Sequence, residues 1–352
     1  MAESSNWTHL HAQLHRTLLQ RQLLPSNQRL LVAVSGGQDS LCLLKLLVDL
    51  QPKWGWDLAI AHCDHRWRSD SQSNASHVEN LAKNWRLSYY LQTALFIPKT
   101  EAEARQWRYQ ALTEIAIARN YPYIITGHTA SDRAETLLYN LIRGSGADGL
   151  SALTWKRPLA DLRLENSGDN PNFQISADFR LVRPLLEITR SQTGQFCQEQ
   201  KLPVWEDSTN QDLKYARNRI RSELLPYLET HFNPKAQQAI AQTAELLRAD
   251  VEYLELAARD LLQRAISPIA DSDRVKFQLP VKLNRPILRE APLALQRRGM
   301  RQLLQQILPS APSFDSVEKL TSLIAAPNRS QTDPFPGGAI ARVENPWIIL
   351  DI

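Results

Sequence analysis

The sequence predicts a doubly wound α/β domain built on a parallel sheet, followed by a second, mainly helical domain. Three observations predict it. Short apolar runs alternate with longer helical patterns as far as Leu150, a glycine-rich turn follows the first of those runs directly, and from Tyr215 the apolar residues adopt helical spacing. A chain of 352 residues also exceeds what one core comfortably fills. The division is placed after Lys214, giving a catalytic domain over 1–214 and a helical domain over 215–352 that closes in a small hairpin.

The first residues, Met1 to Ser5, are polar and acidic and lead into no apolar core of the kind a secretory leader carries. Trp7, Leu10, Leu14 and Leu18 then fall at helical spacing, predicting an amphipathic helix that ends before Pro25. His9, His11 and His15 lie on it. His11 and His15 share a face, but without a third ligand at suitable spacing they read as surface histidines rather than a metal site.

Leu30–Val34, Leu58–Ala61, Tyr89–Leu91 and Tyr123–Thr126 read as strands, with helices between them. In open parallel sheets ligands bind beyond the carboxyl ends of the strands, so the exit loops are where chemistry is expected. These exits are Ser35–Ser40, His62–Arg68 and Gly127–Asp132, the first rich in glycine and the others in polar and charged groups. Further on, Asp161–Asp178 has the composition of a loop or hairpin insertion, Arg180–Leu186 suggests another strand, and Ser191–Gln200 another helix. Leu247, Val251, Leu254, Ala258 and Leu261, then Met300, Leu303, Leu304 and Ile307, mark helices of the second domain, and Ala339–Leu350, broken at Asn345-Pro346, suggests the final hairpin.

Composition narrows the class. Apolar residues at 43% and charged residues at 22% are ordinary for a folded domain, and no run is long and apolar enough to span a membrane. Three cysteines, Cys42, Cys63 and Cys197, lie far apart and suggest reduced thiols and a cytoplasmic protein. A net charge of +4 permits nucleic-acid binding without requiring it.

The loop Ser35-Gly36-Gly37-Gln38-Asp39-Ser40 sits between a strand and a helix. Its glycines allow close backbone approach to an anion, Ser35 and Ser40 add hydroxyls, and the helix start adds its positive dipole end, which together make a phosphate cradle. No GK[ST] follows, so it is not the lysine-bearing P-loop. A carboxylate beside a polyphosphate is repulsive unless it holds a cation, so Asp39 is read as a ligand for Mg²⁺ on the phosphates of ATP. A tight turn with a serine cap would be the plainer alternative.

This loop resembles that of the ATP pyrophosphatase (PP-loop) superfamily, whose Rossmann-like members adenylate an oxygen and then displace AMP. Further segments look like signatures of the tRNA(Ile)-lysidine synthase family: Ala61-His62-Cys63-Asp64-His65-Arg66-Trp67-Arg68-Ser69, Glu101 to Tyr109, Gly127-His128 through Asp132 to Thr136, Arg143 to Leu150, and Trp205-Glu206-Asp207-Ser208-Thr209-Asn210 running into Arg217-Asn218-Arg219-Ile220-Arg221. Ser131 and Arg133 depart from that pattern, which usually has aspartate and glutamine there.

The resemblance implies an enzyme that uses ATP to adenylate the C2 oxygen of the wobble cytidine in the CAU anticodon of tRNA(Ile). The ε-amine of free L-lysine then attacks that carbon, releasing AMP. For the first step Asp39 is joined by Arg108, which the family motif places there, and by His128, which exits a central strand toward the loop, as further cations or donors around the phosphates, against the plainer readings of a solvated helix arginine and a capping histidine. For the second, Asp132 and Glu135, three residues apart at a helix start, would bind the lysine ammonium and accept its proton, or else cap the helix. Arg66, Arg68, Arg217, Arg219 and Arg221, with Lys214, suit an RNA backbone, against the duller reading of a solvated face. Arg297, Arg298 and Arg301, opposite the apolar stripe of their helix, are weaker candidates for the same role. A homodimer is compatible with the sequence.

Two alternatives remain at this stage. A tRNA thiolase of the same superfamily would rely on closely paired cysteines, which the sequence lacks. A noncatalytic RNA-binding protein that senses ATP would have no use for Asp39, Asp132 and Glu135.

Overall fold

The computed structural model describes residues 7–161, 178–205, 213–266 and 279–351. They fall into two compact units that divide between Glu245 and Leu246, later in the chain than the boundary expected at 214.

In the first unit α1 (His9–Gln20) precedes β1 (Arg29–Ala33), α2 (Gln38–Trp54), β2 (Asp57–Asp64), α3 (Ser71–Asn84), β3 (Ser88–Thr93), α4 (Glu101–Arg119), β4 (Tyr123–Thr126), α5 (Ala130–Ile142) and α6 (Ala147–Leu150). After these come β5 (Lys156–Pro158), β6 (Arg180–Val182), α7 (Arg190–Glu199), α8 (Ala216–Arg219), a π-helical turn Ile220–Leu224, and α9 (Leu225–His231). The strands form one sheet in the order β3-β2-β1-β4-β6-β5. All neighbours are parallel except the edge strand β5, which runs antiparallel to β6. Central β1 pairs Val32 with Ile60 on one side and Ile125 on the other, and its Leu30, Leu31 and Val32 are fully buried, as expected of a strand with helices on both faces. Chain order reverses between β1 and β4, which opens a crevice at their carboxyl ends.

The strand expected over Arg180–Leu186 stops at Val182, because Pro184 has no amide to continue the ladder. The insertion expected over Asp161–Asp178 falls almost wholly outside the described residues, as do Glu206 to Asn210.

The histidines of α1 are not all surface groups. His11 is buried at 1% exposure and meets Asp49 at 3.0 Å, while His15 accepts from the Trp54 indole at 3.2 Å; only His9 is exposed. His11 thus serves the seam between α1 and α2. Loss of a buried, paired imidazole costs more than loss of a surface one.

Helix α10 (Ala236–Ala265) leads into the second unit, which continues with β7 (Val281–Asn284), α11 (Arg285–Glu290), α12 (Leu293–Ile307), α13 (Phe314–Ser322), β8 (Ile340–Glu344) and β9 (Trp347–Asp351). The expected hairpin is β8–β9, but β7 adds a third antiparallel strand in the order β7-β9-β8, so this unit is helical around a small sheet. Leu261, Met300, Leu303, Leu304, Leu320, Ile348 and Leu350 fill its core. Arg297 is held by Glu318 at 2.6 Å, and both Arg298 and Arg301 reach Glu255, so the three arginines expected to face RNA are each ion-paired within this unit.

Candidate active site

The crevice at the carboxyl ends of β1, β2 and β4 opens into a cavity of about 420 Å³. Its phosphate-binding wall is the turn between β1 and α2. Gly36 has φ +89°, and a Cβ there would come within 2.5 Å of Asn74 Oδ1 and 3.3 Å of Trp205 Cβ, so only glycine fits without displacement. Asn74 fixes the turn by donating to Ser35 O at 3.0 Å, and the Trp205 amide donates to Gly36 O at 3.0 Å. Ser40 Oγ accepts from the Ser35 amide at 3.2 Å and donates to Gly37 O at 2.9 Å. Gly37 caps α2 with backbone alone, and among the described residues no side chain accepts from the amides of Gln38, Asp39 or Ser40. Those donors and the dipole of a 17-residue helix suit an anion.

Gly127, at the exit of β4, presses on this turn: a Cβ there would lie 2.9 Å from Asp39 O and 3.1 Å from Ser40 N. His128 and α5 are thereby held against the start of α2.

Asp39 lies in the first turn of α2 and lines the cavity. Its Oδ2 meets Arg190 Nη1 at 3.2 Å, and its Oδ1 accepts from the hydroxyl of Thr193. Both partners lie on α7. Burial holds the Asp39 carboxyl above its usual range; Arg190 opposes that, and the charge of Asp132 adds to it. Arg190 and Thr193 carry no motif that singles them out in the sequence.

Asp132 and Glu135 both line the cavity. Asp132 Oδ2 accepts from the Thr129 amide at 2.7 Å and from its hydroxyl at 2.9 Å, closing a capping box with Thr129 as the cap. Its Oδ1 lies 3.5 Å from Arg221. Glu135 takes a bidentate fork from Arg221, at 2.6 Å from Nε and 2.8 Å from Nη2. Burial raises the Glu135 carboxyl, with Arg221 working against it. Arg221, expected as an RNA backbone contact, thus turns inward onto two acidic groups.

The two departures from the family pattern have structural roles. Ser131 is buried; its hydroxyl accepts from the Arg190 amide at 2.9 Å and donates to Gln237 Oε1 at 2.8 Å, anchoring the start of α7. Arg133, 2% exposed, binds Glu245 at 2.8 Å and Leu153 O at 3.0 Å.

Arg108 and half-buried His128 also line the cavity. Burial, with Arg183, Arg105, Arg108 and Arg217 around it, holds the His128 imidazole neutral well below its usual range. It therefore offers the site a neutral hydrogen-bonding group. Sequence reasoning did not find Tyr109, whose phenol burial alone would raise but which Arg183, Arg105 and Arg157 bring down to about 8.

The remaining arginines divide. Arg68 and Arg217 line the cavity, paired with Asp70 at 2.6 Å and Glu101 at 3.3 Å. Arg66 is exposed on a left-handed turn at φ +62°, and Arg219 donates to Leu213 O at 3.1 Å, facing a separate apolar groove with Tyr139, Ile142 and Tyr227.

The cysteines correct the expectation of no close pair. Cys42 and Cys197 meet between α2 and α7, where the Cys197 thiol also donates to Gln38 O at 3.3 Å. The contact with Cys197 and burial push the Cys42 thiol up. Neither lines the cavity; of the three cysteines only Cys63 does, its thiol raised by burial to about 12.

A family profile described as a PP-loop domain matches residues 8–228, and one described as a TilS substrate binding domain matches residues 283–345. A tRNA(Ile)-lysidine synthase of Nostoc sp. is 65% identical over 348 residues, covering 98% of this chain and 97% of that one. One from Synechocystis sp. is 51% identical, with 97% of each chain covered. A chloroplastic tRNA(Ile)-lysidine synthase of Zygnema circumcarinatum is 39% identical over 87% of this chain and 77% of its own. Among solved structures, a tRNA thiolase from Methanococcus maripaludis superposes with a TM-score of 0.52 at 16% identity, over 68% of this chain and 77% of that chain, a likeness of fold.

Proposed function

The chain belongs to the tRNA(Ile)-lysidine synthase family, and from that premise we propose how its cavity divides the two half-reactions. The observation that carries the reading is that Asp39, at the glycine turn, and Asp132 with Glu135, on α5, line one cavity, each held by a guanidinium that the same cavity wall supplies.

In the first half-reaction the C2 oxygen of the wobble cytidine attacks the α-phosphorus of ATP and pyrophosphate leaves. The amides at the start of α2 and the hydroxyls of Ser35 and Ser40 cradle the phosphates, with Arg108 and neutral His128 as donors to the charge that develops. Asp39 suits a cation: its buried carboxyl stands beside a second negative charge at Asp132, a pairing that a divalent ion relieves. Mg²⁺ held by Asp39 would supply positive charge to offset that of the departing pyrophosphate. Arg190 holds the Asp39 carboxylate in place.

In the second half-reaction the ε-amine of free L-lysine attacks C2, the bond to the AMP oxygen breaks, and the ammonium proton must leave first. Asp132 and Glu135 attract the ammonium, and Glu135, whose carboxyl burial raises, accepts the proton. Arg68 and Arg217 at the cavity, and Arg66 and Arg219 outside it, suit the RNA backbone. The cytoplasm, where reduced thiols persist, is the proposed compartment.

Incubation with ATP, Mg²⁺, labelled lysine and tRNA(Ile) bearing CAU tests the reading. Label should enter the RNA only when ATP is present. A protein that releases pyrophosphate on this tRNA yet leaves the RNA unlabelled would overturn the lysine assignment.

A further inference from the structure

Two aromatic rings face each other at the cavity with no role so far. Trp67 lies in the loop after β2 and Tyr215 is the residue before α8; both line the cavity. Their planes are tilted by only 12°, and their centroids stand 6.5 Å apart. Flat rings in contact are separated by about 3.5 Å, so a planar guest with a ring on each face needs about 7 Å between its hosts. The 6.5 Å between centroids sets an upper limit on the gap between the planes, so one ring must move outward to admit a base.

The Trp67 ring is anchored, the backbone at Tyr215 is fixed, and both residues are flanked by cations in the sequence. The Trp67 indole donates to Pro98 O at 2.6 Å, which fixes its plane, and the Tyr215 carbonyl accepts from the Arg219 amide at 3.1 Å at the start of α8. Trp67 stands between Arg66 and Arg68, and Tyr215 is followed by Arg217 and Arg219. Aromatic rings interleaved with guanidiniums are the composition that binds unpaired nucleotides, with the rings taking bases and the cations taking phosphates.

We propose that Trp67 and Tyr215 form a two-sided stacking clamp that holds the splayed wobble cytidine of the RNA between them. The inference rests on the tRNA reading above and specifies how that substrate is held. A base must leave its stack before its C2 oxygen can be reached, and the clamp replaces the two lost stacking neighbours. The other ring-bearing ligand, the adenine of ATP, is the competing occupant. The clamp belongs to RNA because both rings sit on the segments that carry Arg66, Arg68, Arg217 and Arg219, rather than on the glycine turn.

The test uses full-length tRNA(Ile) assembled with the fluorescent analogue pyrrolocytidine, which keeps the C2 oxygen, at the wobble position, and a second tRNA abasic there. The unaltered protein should quench the analogue and bind the abasic tRNA about 5- to 100-fold more weakly than the cytidine form. Trp67→Ala and Tyr215→Ala should each lose quenching and the preference for a base, Trp67→Phe should retain most of both, and ATP affinity by calorimetry should not change. Equal binding of abasic and cytidine tRNA by the unaltered protein, with the analogue still bright, overturns the clamp without recourse to any variant. Loss of ATP affinity in the alanine variants in place of the base preference assigns the rings to adenine and overturns it too. Lysine transfer with an unquenched wobble base sinks the clamp alone. Quenching without any lysine transfer sinks the lysidine chemistry and leaves the clamp standing.

Discussion

Arg190 Nη1 stands 3.2 Å from Asp39 Oδ2, joining the first turn of α7 to the first turn of α2. The pair keeps a buried carboxylate ionised beside the charge of Asp132. Without Arg190 that carboxyl should take up a proton more readily. Arg190→Ala is expected to slow adenylation by about 10²-fold and to move the acid limb of the pH–rate profile to higher pH, with partial recovery in Arg190→Lys. Release of radiophosphorus-labelled pyrophosphate from ATP across pH measures both; an acid limb that stays in place would show that Arg190 does not maintain the charge.

Asp39→Ala should abolish both half-reactions, because the second has no adenylate to act on. Glu135→Gln keeps an acceptor for Arg221 but cannot take a proton, so it should spare pyrophosphate release far more than lysine transfer. Rapid-quench measurement of the two products separates these outcomes. Equal loss of both steps in Glu135→Gln contradicts the division of roles.

His128 gives a pH signature with a definite sign. Its folded-state pKa lies well below the usual value of 6.5, chiefly through burial, so the unfolded chain binds a proton below pH 6.5 that the folded chain does not. The stability this confers is complete above that pH and is lost as pH falls toward the lowered value. Thermal melts from pH 7.5 to 5.5 should therefore show declining stability, with a shallower decline in His128→Asn. Binding of ATP, which brings negative charge beside the imidazole, should raise its pKa, read by calorimetry in two buffers as proton uptake that grows as pH is lowered.

Gly127→Ala places a methyl group 2.9 Å from Asp39 O and 3.1 Å from Ser40 N, where backbone must move. A cost of about 1–3 kcal/mol and a melting temperature lower by roughly 2–10 °C are expected. ATP affinity should fall with it, since the displaced atoms form the phosphate turn. A variant that melts and binds ATP as the natural protein does would mean that β4 and α2 separate easily.

Much of the site was legible because its chemistry is local. The glycine turn, Asp39 and the Asp132–Glu135 pair each sit within a few residues of one another, and strand exits placed them on one rim. What was hidden depends on pairing across long stretches of chain. Arg190 begins an ordinary helix, and nothing near it tells that Asp39 waits opposite. Arg221 reads as one more cation in a basic run until α8 and the turn after it direct it onto Glu135. Cys42 and Cys197 meet only because α7 lies on α2. In the second unit, Val281–Asn284 is too short and too close to Pro280 to announce a strand before β9 gives it a partner.

The cradle for phosphate and the arginines that complete it are made at different times. A ribosome delivers the chain from its amino end at about 5–20 residues per second, so the glycine turn emerges well before Arg190 and Arg221. A nascent chain that stops short of them has neither counter-ion for its acidic groups. The ion pairs that hold Asp39 and Glu135 therefore form only after synthesis has passed Arg190 and Arg221.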